Sequence, residues 1–543
     1  MNGLDGLAAL IIEPHAGMRA GIHSMLTQCG LNKIEHAGSA NLAVRHLSLK
    51  SFDLVLCEYD LGGGQDGQQL LEDLRHHKLI SPSTMFFMVT AEGAHGKVIS
   101  AAELAPTDYI LKPFTSDRLL ERIGRALQRR NVLQPIHHLM EDGRQRQAIA
   151  ACVEAIKAHP RYAIDLLRLR AELHLFLGEP AEAEPIYLQL VEAKGIAWAR
   201  LGLAKALFMR ERFAEAQATL EGLVESNTNF VDAYDWLAKT HAALGQLDKS
   251  QAVLAEAVAV SPHAVRRLRK LGELALETGD SDTAERMFKQ VVSKAKYSVF
   301  RDPEDHVRLV QTLVRKGDPV QAAAVIRDLD KSMSGQQNTG VCSAIAAAMV
   351  HEYTGNEVRL NESLAAALAA AKNAPGLSSD MKMALARNCL SNNLEQGAAD
   401  IMRDVMQNAP NSAAMTKAMG VFERAGRADL AHSVAQESRQ RVAELVGAGA
   451  SKAREGDFPG AVALMTEAVA RLPDNPQVVF NAAVAVLKCL ENIGWDERLA
   501  QQAIGLIDNV RRLDPVNPKL PALAGLHQQI LKRYGKGARP TTP

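Results

Sequence analysis

The sequence predicts a doubly wound α/β domain with a five-stranded parallel sheet, followed by an all-α superhelical solenoid of helix pairs. Three observations predict it. Over the first 128 residues short apolar runs alternate with amphipathic stretches. From about residue 130 the strand-like runs stop and one helical stretch follows another. Within that second tract Gly, small and large apolar residues recur at a spacing near 34. The expected organisation is therefore 1–128, 129–535 and a flexible tail at 536–543.

The strand signals come in order at 7–13 (LAALIIE), 52–58 (FDLVLCE), 84–90 (TMFFMVT) and 108–114 (DYILKPF), with 33–39 a weaker fifth. Continuous apolar runs of this kind suit a parallel sheet buried on both faces, where no side of a strand meets water. The amphipathic stretches 17–29, 40–50, 66–77, 96–105 and 116–128 lie between or after them. Such β–α alternation places helices on both faces of the sheet.

In the second tract Gly245, Ser250, Leu254, Ala257 and Pro262 meet, 34 residues on, Gly279, Ala284, Phe288, Val291 and Lys296, and four of the five positions keep their character. Gly178, Ala183, Tyr187 and Leu190 repeat the pattern upstream, and Gly456, Ala461, Met465, Ala468 and Pro473 repeat it downstream. Gly ends one helix in a tight turn. The small residue lets the next helix approach closely, and the large residue four positions later fills the space beside it. Pro stops that helix and opens the next unit. A single pair cannot bury its apolar face, so pairs stack. These positions resemble the tetratricopeptide repeat (TPR) family, most clearly over 164–298 and 442–515. The stretch 299–440 is less regular, with turns expected near Gly317, Gly355, Asn393 and Gly426. At this period the tract holds roughly ten to twelve helix pairs. The resemblance implies protein or peptide recognition in a concave groove.

In the first domain, acids end the first and third strands (Glu13, Glu58), Thr90 ends the fourth, and Lys112 ends the fifth, with Tyr109 and Pro113 beside it. In a doubly wound sheet those strand ends converge on one crevice. The combination resembles bacterial response-regulator receiver domains, which have a flavodoxin-like fold. The resemblance implies that Glu58 stands at the phosphoacceptor position. It makes Glu13, Asp60, Thr90 and Lys112 the pocket residues, with Asp60 lending its backbone carbonyl to a cation. Tyr109 is the switch aromatic, and Pro113 follows a cis bond. In the family the phosphoacceptor is Asp, and a pair of acids after the first strand helps to hold Mg²⁺. Here Glu replaces that Asp, and Pro14 follows Glu13. An extra methylene moves the carboxylate by roughly 1.5 Å. In-line transfer loses about a hundredfold for a 1 Å misplacement. A lost carboxylate also weakens a Mg²⁺ site that demands near-ideal octahedral geometry. The pocket is therefore expected to be a pseudo-receiver with at most a weak Mg²⁺ site at Glu13 and Glu58 and no other cofactor. Two readings of Glu58 stay open. It reaches toward Thr90 and Lys112 as an acyl phosphate would, or it simply pairs with Lys112 in a relic pocket.

Composition narrows the function classes. Lys+Arg and Asp+Glu are both 62, so the formal net charge is zero. Residues 1–128 hold 11 basic and 14 acidic side chains, which leaves −3 there and +3 in the rest. Neither part has a field suited to a nucleic acid, and 4 % aromatics is poor in stacking platforms. Six cysteines at 29, 57, 152, 342, 389 and 489 form no CxxC pair, which argues against a disulfide framework or a metal knuckle. There is no signal-peptide pattern and no apolar run near the ~18 residues that span a bilayer. A cytoplasmic protein without a transmembrane segment is expected.

GGGQDG at 62–67 lacks the GK[ST] ending of a P-loop and reads as a loop. His15, His23, His76 and His77 have no partner at metal-ligand spacing. Arg266, Arg267, Arg269 and Lys270 read as one solvated helix face. Trp198, Trp236 and Trp495 read chiefly as packing between repeats. No GxSxG, HExxH or other catalytic pattern is present, so the protein is not expected to be an enzyme. A signalling adaptor is the leading expectation, with output through protein binding. The rival is a structural scaffold whose receiver only docks or dimerises. An enzyme or a nucleic-acid binder ranks behind both.

Overall fold

A computed structural model of the chain describes residues 4, 6–62, 66–91, 106–142, 144–194, 196–262, 264–295, 301–372, 374, 376–514, 517 and 519–534. The helix expected at 96–105, part of the 62–67 loop, Lys296 and the tail at 536–543 lie outside the described residues. The chain forms two compact units, Met1–Thr312 and Leu313–Pro543.

The first unit opens with β1 (Ala8–Ile12), α1 (Ala16–Gln28), β2 (Lys33–Ala37), α2 (Ala40–Leu49), β3 (Leu54–Glu58), α3 (Gly67–His76), β4 (Met85–Ala91), β5 (Asp108–Lys112) and α4 (Ser116–Glu141). All pairs are parallel, in the order β2-β1-β3-β4-β5. Alternate strand residues feed two cores, as the pleat requires. Ile11, Leu56, Phe87 and Val89 pack with Leu26 of α1 and Leu119 and Ile123 of α4 on one face. Leu10, Ile12, Val55, Phe86 and Met88 pack with Val44 of α2 and Leu70, Leu71 and Leu74 of α3 on the other. Local chemistry starts the helices. The Ser39 hydroxyl accepts from the Leu42 N–H at 3.3 Å. Asp66 and Gln69 form a reciprocal capping box at α3, at 2.8 and 3.2 Å.

α4 is longer than the expected 116–128 helix. It passes through Pro135 and buries Leu133 and Ile136 on its second half. Its first half caps the sheet, and its second half pairs with the helix Gln145–Ala158 in a core around Leu133, Ala148, Cys152 and Leu166. Arg130 ties it to Asp53 at 2.6 Å, and Glu141 accepts from Ser81 at 2.8 Å.

Helix pairs follow at Ala163–Phe176 with Pro180–Lys194, Ala197–Met209 with Phe213–Ser226, Val231–Ala243 with Leu247–Val260, and Val265–Thr278 with Ser281–Ala295. Their turns carry Gly178, Gly245 and Gly279 at φ 71°, 74° and 86°. The pair at 197–226 has Glu211 instead, at φ 59°. The small residues Ala183, Ala216 and Ala284 are fully buried. A Cβ on Gly272 would lie 2.9 Å from Phe288 Cζ, and one on Gly202 would lie 2.2 Å from Tyr187 Cε1. The large residue thus fills the space left by a glycine on a facing helix.

In the second unit Gly317, Gly355, Asn393 and Gly426 all have positive φ, at 81°, 69°, 58° and 73°, so the irregular stretch turns where the sequence places its turns. Helix Ala428–Arg454 serves two pairs, first with Ser412–Arg424 and then with Phe458–Arg471. Leu520–Arg533 packs on Pro476–Asn492 and closes the described array.

Candidate functional site

Glu58 and Lys112 are the last residues of β3 and β5, Glu13 follows β1, and Thr90 lies at the end of β4. Parallel pairing brings these ends together, with Glu58 opposite Val89 and Thr90 opposite Leu111. The Lys112 ammonium donates to Glu13 Oε2 at 2.9 Å and also to Glu58 Oε2. The remaining carboxylate oxygens take backbone donors. Glu13 Oε1 accepts from the His15 N–H at 3.0 Å, and Glu58 Oε1 accepts from the Asp60 N–H at 3.2 Å. Glu13 and Thr90 are each only 1 % exposed. Burial works against the ammonium, but the hydrogen bonds to Glu58 and Glu13 outweigh it and hold the Lys112 pKa above its ordinary value.

The backbone around Glu58 is tightly defined. The Gly67 N–H donates to the Tyr59 carbonyl at 2.7 Å, and a Cβ on Gly67 would lie 2.5 Å from the Glu58 carbonyl. The Lys112–Pro113 bond is cis. Tyr109 packs against the core on the α3 side of the sheet. Burial raises its phenol pKa, with Tyr59 adding to the rise and Arg75 opposing it.

The carboxylates do not form a set suited to Mg²⁺. Both face the same ammonium, and Pro14 supplies no oxygen side chain. Among the described residues no group of three His, Cys, Asp or Glu side chains is placed to hold a metal. All six cysteines are free thiols. His23 Nδ1 lies 2.9 Å from His36 Nε2, a pairing the sequence did not reveal.

The basic run at 266–270 is not one solvated face. Arg267 is only 7 % exposed and pairs with Asp235 at 3.0 and 2.9 Å. Arg269 pairs with Asp305 at 2.6 and 2.7 Å. Stacked repeats place these acids, from neighbouring helices, over residues that look solvated on an isolated helix. The first helices of the pairs also carry aromatic side chains faced by cations. Trp236 packs edge-on to Phe208 with centroids 5.6 Å apart, so it does pack between repeats. Lys239 lies 4.3 Å from the Trp236 centroid, and Arg168 lies 5.0 Å from that of Trp198. A cavity of about 300 Å³ opens here between Trp198, Trp236, Tyr187, Phe176 and Lys205. Burial pulls the Lys205 pKa down to about 8, with Lys239 adding to the fall and Asp232 opposing it.

Comparisons with known proteins fall on these two regions. Residues 9–124 match the response regulator receiver domain, and residues 168–230 and 236–299 match the tetratricopeptide repeat. Chemotaxis protein CheY-3 of Vibrio cholerae serotype O1 is 29 % identical over 120 residues, covering 22 % of this chain and 91 % of its own. Chemotaxis protein CheY of Pseudomonas aeruginosa is 29 % identical over 122 residues, covering 22 % and 97 %. A thermophilic TPR protein of Thermus thermophilus aligns at 23 % identity and TM-score 0.28, over 34 % of this chain and 99 % of its own. The C-terminal part of a TPR repeat-containing protein of Cytophaga hutchinsonii aligns at 12 % identity and TM-score 0.36, over 47 % and 99 %. Among the described residues no helix is long and apolar enough to cross a membrane. The chain carries a response-regulator receiver domain followed by tetratricopeptide repeats.

Proposed function

We propose that this chain is a cytoplasmic signalling adaptor of the response-regulator type. Its receiver, over 1–128, is not phosphorylated by the usual route, and its repeat solenoid, over 129–535, delivers the output by binding a protein or peptide. The observation that carries this reading is Lys112. Its ammonium is held by Glu13 and Glu58 together, an internal ion pair where a receiver would gather a cation and a phosphoryl group. Glu58 reaches the lysine without a modification, so the ammonium is held in the pocket without any need of a kinase. With no catalytic constellation in the sequence, binding is the output that remains, and the cationic, aromatic-lined face of the repeats suits it.

Intact-mass measurement after incubation with acetyl phosphate and Mg²⁺ tests the receiver reading. The wild type is expected to stay unmodified. Glu58→Asp with Pro14→Asp is expected to gain one phosphoryl group, while each single variant gains little, because nucleophile position and metal act together. A stable adduct on wild-type Glu58 would overturn the reading.

A further inference from the structure

Two lysines from neighbouring repeats approach one indole. Lys205, on the helix Ala197–Met209, has its Nζ 5.3 Å from the Trp236 ring centroid. Lys239, on the helix Val231–Ala243, has its Nζ 4.3 Å from the same centroid and 4.8 Å from that of Phe208. The two side chains are not equivalent. Lys239 is exposed, whereas Lys205 is half-buried and lines the cavity of about 300 Å³ whose walls include Trp198, Trp236, Tyr187 and Phe176. Arg168 lines the same cavity, 5.0 Å from the Trp198 centroid. A cation on an aromatic face is a favourable contact, and one lysine would provide it. A second ammonium at the same ring repels the first, so stacking alone does not account for the pair.

We propose that Lys205 is an acceptor of carbon dioxide, its amine becoming a carbamate faced by the cations Lys239 and Arg168. The reaction does not depend on the adaptor reading above.

The chemistry needs a neutral amine, because the nitrogen lone pair forms the new bond to the CO₂ carbon. One C–O π pair moves onto oxygen and one proton leaves the nitrogen for solvent, so R–NH₂ and CO₂ give R–NH–COO⁻ and H⁺. The surroundings of Lys205 supply that amine. The aromatic walls strip water from the ammonium and Lys239 repels it, which brings the pKa down to about 8, while Asp232 opposes the fall. A lysine in water offers about a hundredfold less free amine at neutral pH. The surroundings also suit the product. Carbamate formation turns the side chain from a cation into an anion, so the repulsion from Lys239 becomes attraction, and a half-buried site strengthens it relative to water. Glu172, an acid on this cavity wall, is already engaged by Arg168 Nε at 2.7 Å. The same neighbouring cation therefore favours both the loss of the proton and the retention of the carbamate.

The test uses the full chain. It is incubated with carbon-13 bicarbonate in a closed vessel at about pH 8, where Lys205 is half neutral. The carbamate is trapped by ethylation with triethyloxonium, and the modified lysine is located by peptide mass spectrometry. Lys205 is expected to carry the trapped group at an occupancy at least about tenfold above that of the exposed Lys249. Lys239→Gln, at an exposed position, is expected to lower that occupancy about fivefold, and Lys239→Arg, which keeps the charge, to restore it. A carbon-13 carbamate resonance of the untrapped protein that is lost in Lys205→Arg gives a second readout. Circular dichroism confirms that each variant is folded. No trapped group on Lys205, an occupancy no higher than that of Lys249, or an occupancy indifferent to Lys239→Gln would overturn the proposal.

Discussion

At the scale of single residues the pocket is decided by one lysine shared between two acids. Glu13 is nearly inaccessible, and Glu58 and Lys112 are 11 % and 19 % exposed at their side chains. Removing one partner from a buried ion pair leaves an uncompensated charge, which costs about 3–5 kcal/mol. Lys112→Met is therefore expected to lower the unfolding free energy of the receiver by an amount in that range, and its denaturation midpoint with it. Adding Glu58→Gln should recover part of it, since one fewer charge is then left in the pocket. Chemical denaturation followed by the circular dichroism of the sheet decides the matter. A midpoint unchanged by Lys112→Met would mean that the ion pair does not hold the pocket together. The same logic explains why Glu58 and Pro14 were legible as departures from sequence alone, while their consequence was not. Residue type and position along the chain announce a missing carboxylate and a longer side chain. Where the Glu58 carboxylate then goes depends on the distance between β3 and β5, two strands that pair with β4 and not with each other.

At the scale of elements the repeats are ruled by the approach of paired helices. Gly272 and Gly222 both sit inside helices, but their surroundings differ. A Cβ at 272 would meet the fully buried Phe288 ring at 2.9 to 3.1 Å, whereas a Cβ at 222 would meet nothing within 4 Å. Gly222→Ala is expected to stabilise by about 0.5–1 kcal/mol, through helix propensity alone. Gly272→Ala carries the same propensity gain, but overpacking costs about 1–3 kcal/mol and is expected to prevail. Thermal melts of the two variants should move in opposite directions, and a rise in both would refute the close crossing at Gly272. The 34-residue spacing made the turn glycines and the small residues readable. It did not reveal Glu211, which takes the left-handed turn conformation that Gly adopts in neighbouring repeats. A position that most side chains tolerate poorly is invisible to pattern matching when the residue present is not glycine.

For the first unit as a whole, the burial of Glu72 creates a pH response. Burial pushes the Glu72 carboxyl up to about 7. The groups facing it are Arg267, Asp232 and Asp235 from the repeats and Asp66 from the receiver, and Asp232 is raised by burial as well. Between the ordinary carboxylate pKa and about 7 the folded protein binds more protons at Glu72 than the unfolded chain does, so the contribution of Glu72 to stability falls as pH rises through that window. His76 and His77 are lowered by burial and neighbouring charge and titrate in the opposite sense, so the comparison that isolates Glu72 is with Glu72→Gln. The unfolding free energy of the full chain is expected to fall from about pH 6 to about pH 8 in the wild type and to fall less in Glu72→Gln. Equal slopes in the two proteins would show that Glu72 does not set this pH response.

The sequence by itself determined the two architectures, the positions of the strands and most turns, and which residue types end the strands. Each of these depends on local chemistry. Apolar runs buried on both faces mark parallel strands, a period near 34 marks stacked helix pairs, and acids, a hydroxyl and a lysine at strand ends mark one crevice. Only the tertiary structure decided how the charges are paired. Lys112 could have met one acid or two, and Arg267 reads as a solvent-facing residue until Asp235 arrives from 32 residues earlier in the chain. Glu72 and Arg75 carry no signal at all in the sequence, because an exposed charged face on a helix is what any receiver helix shows. Both are half-buried in the fold, and the energy of a buried charge depends on neighbours that no local pattern names.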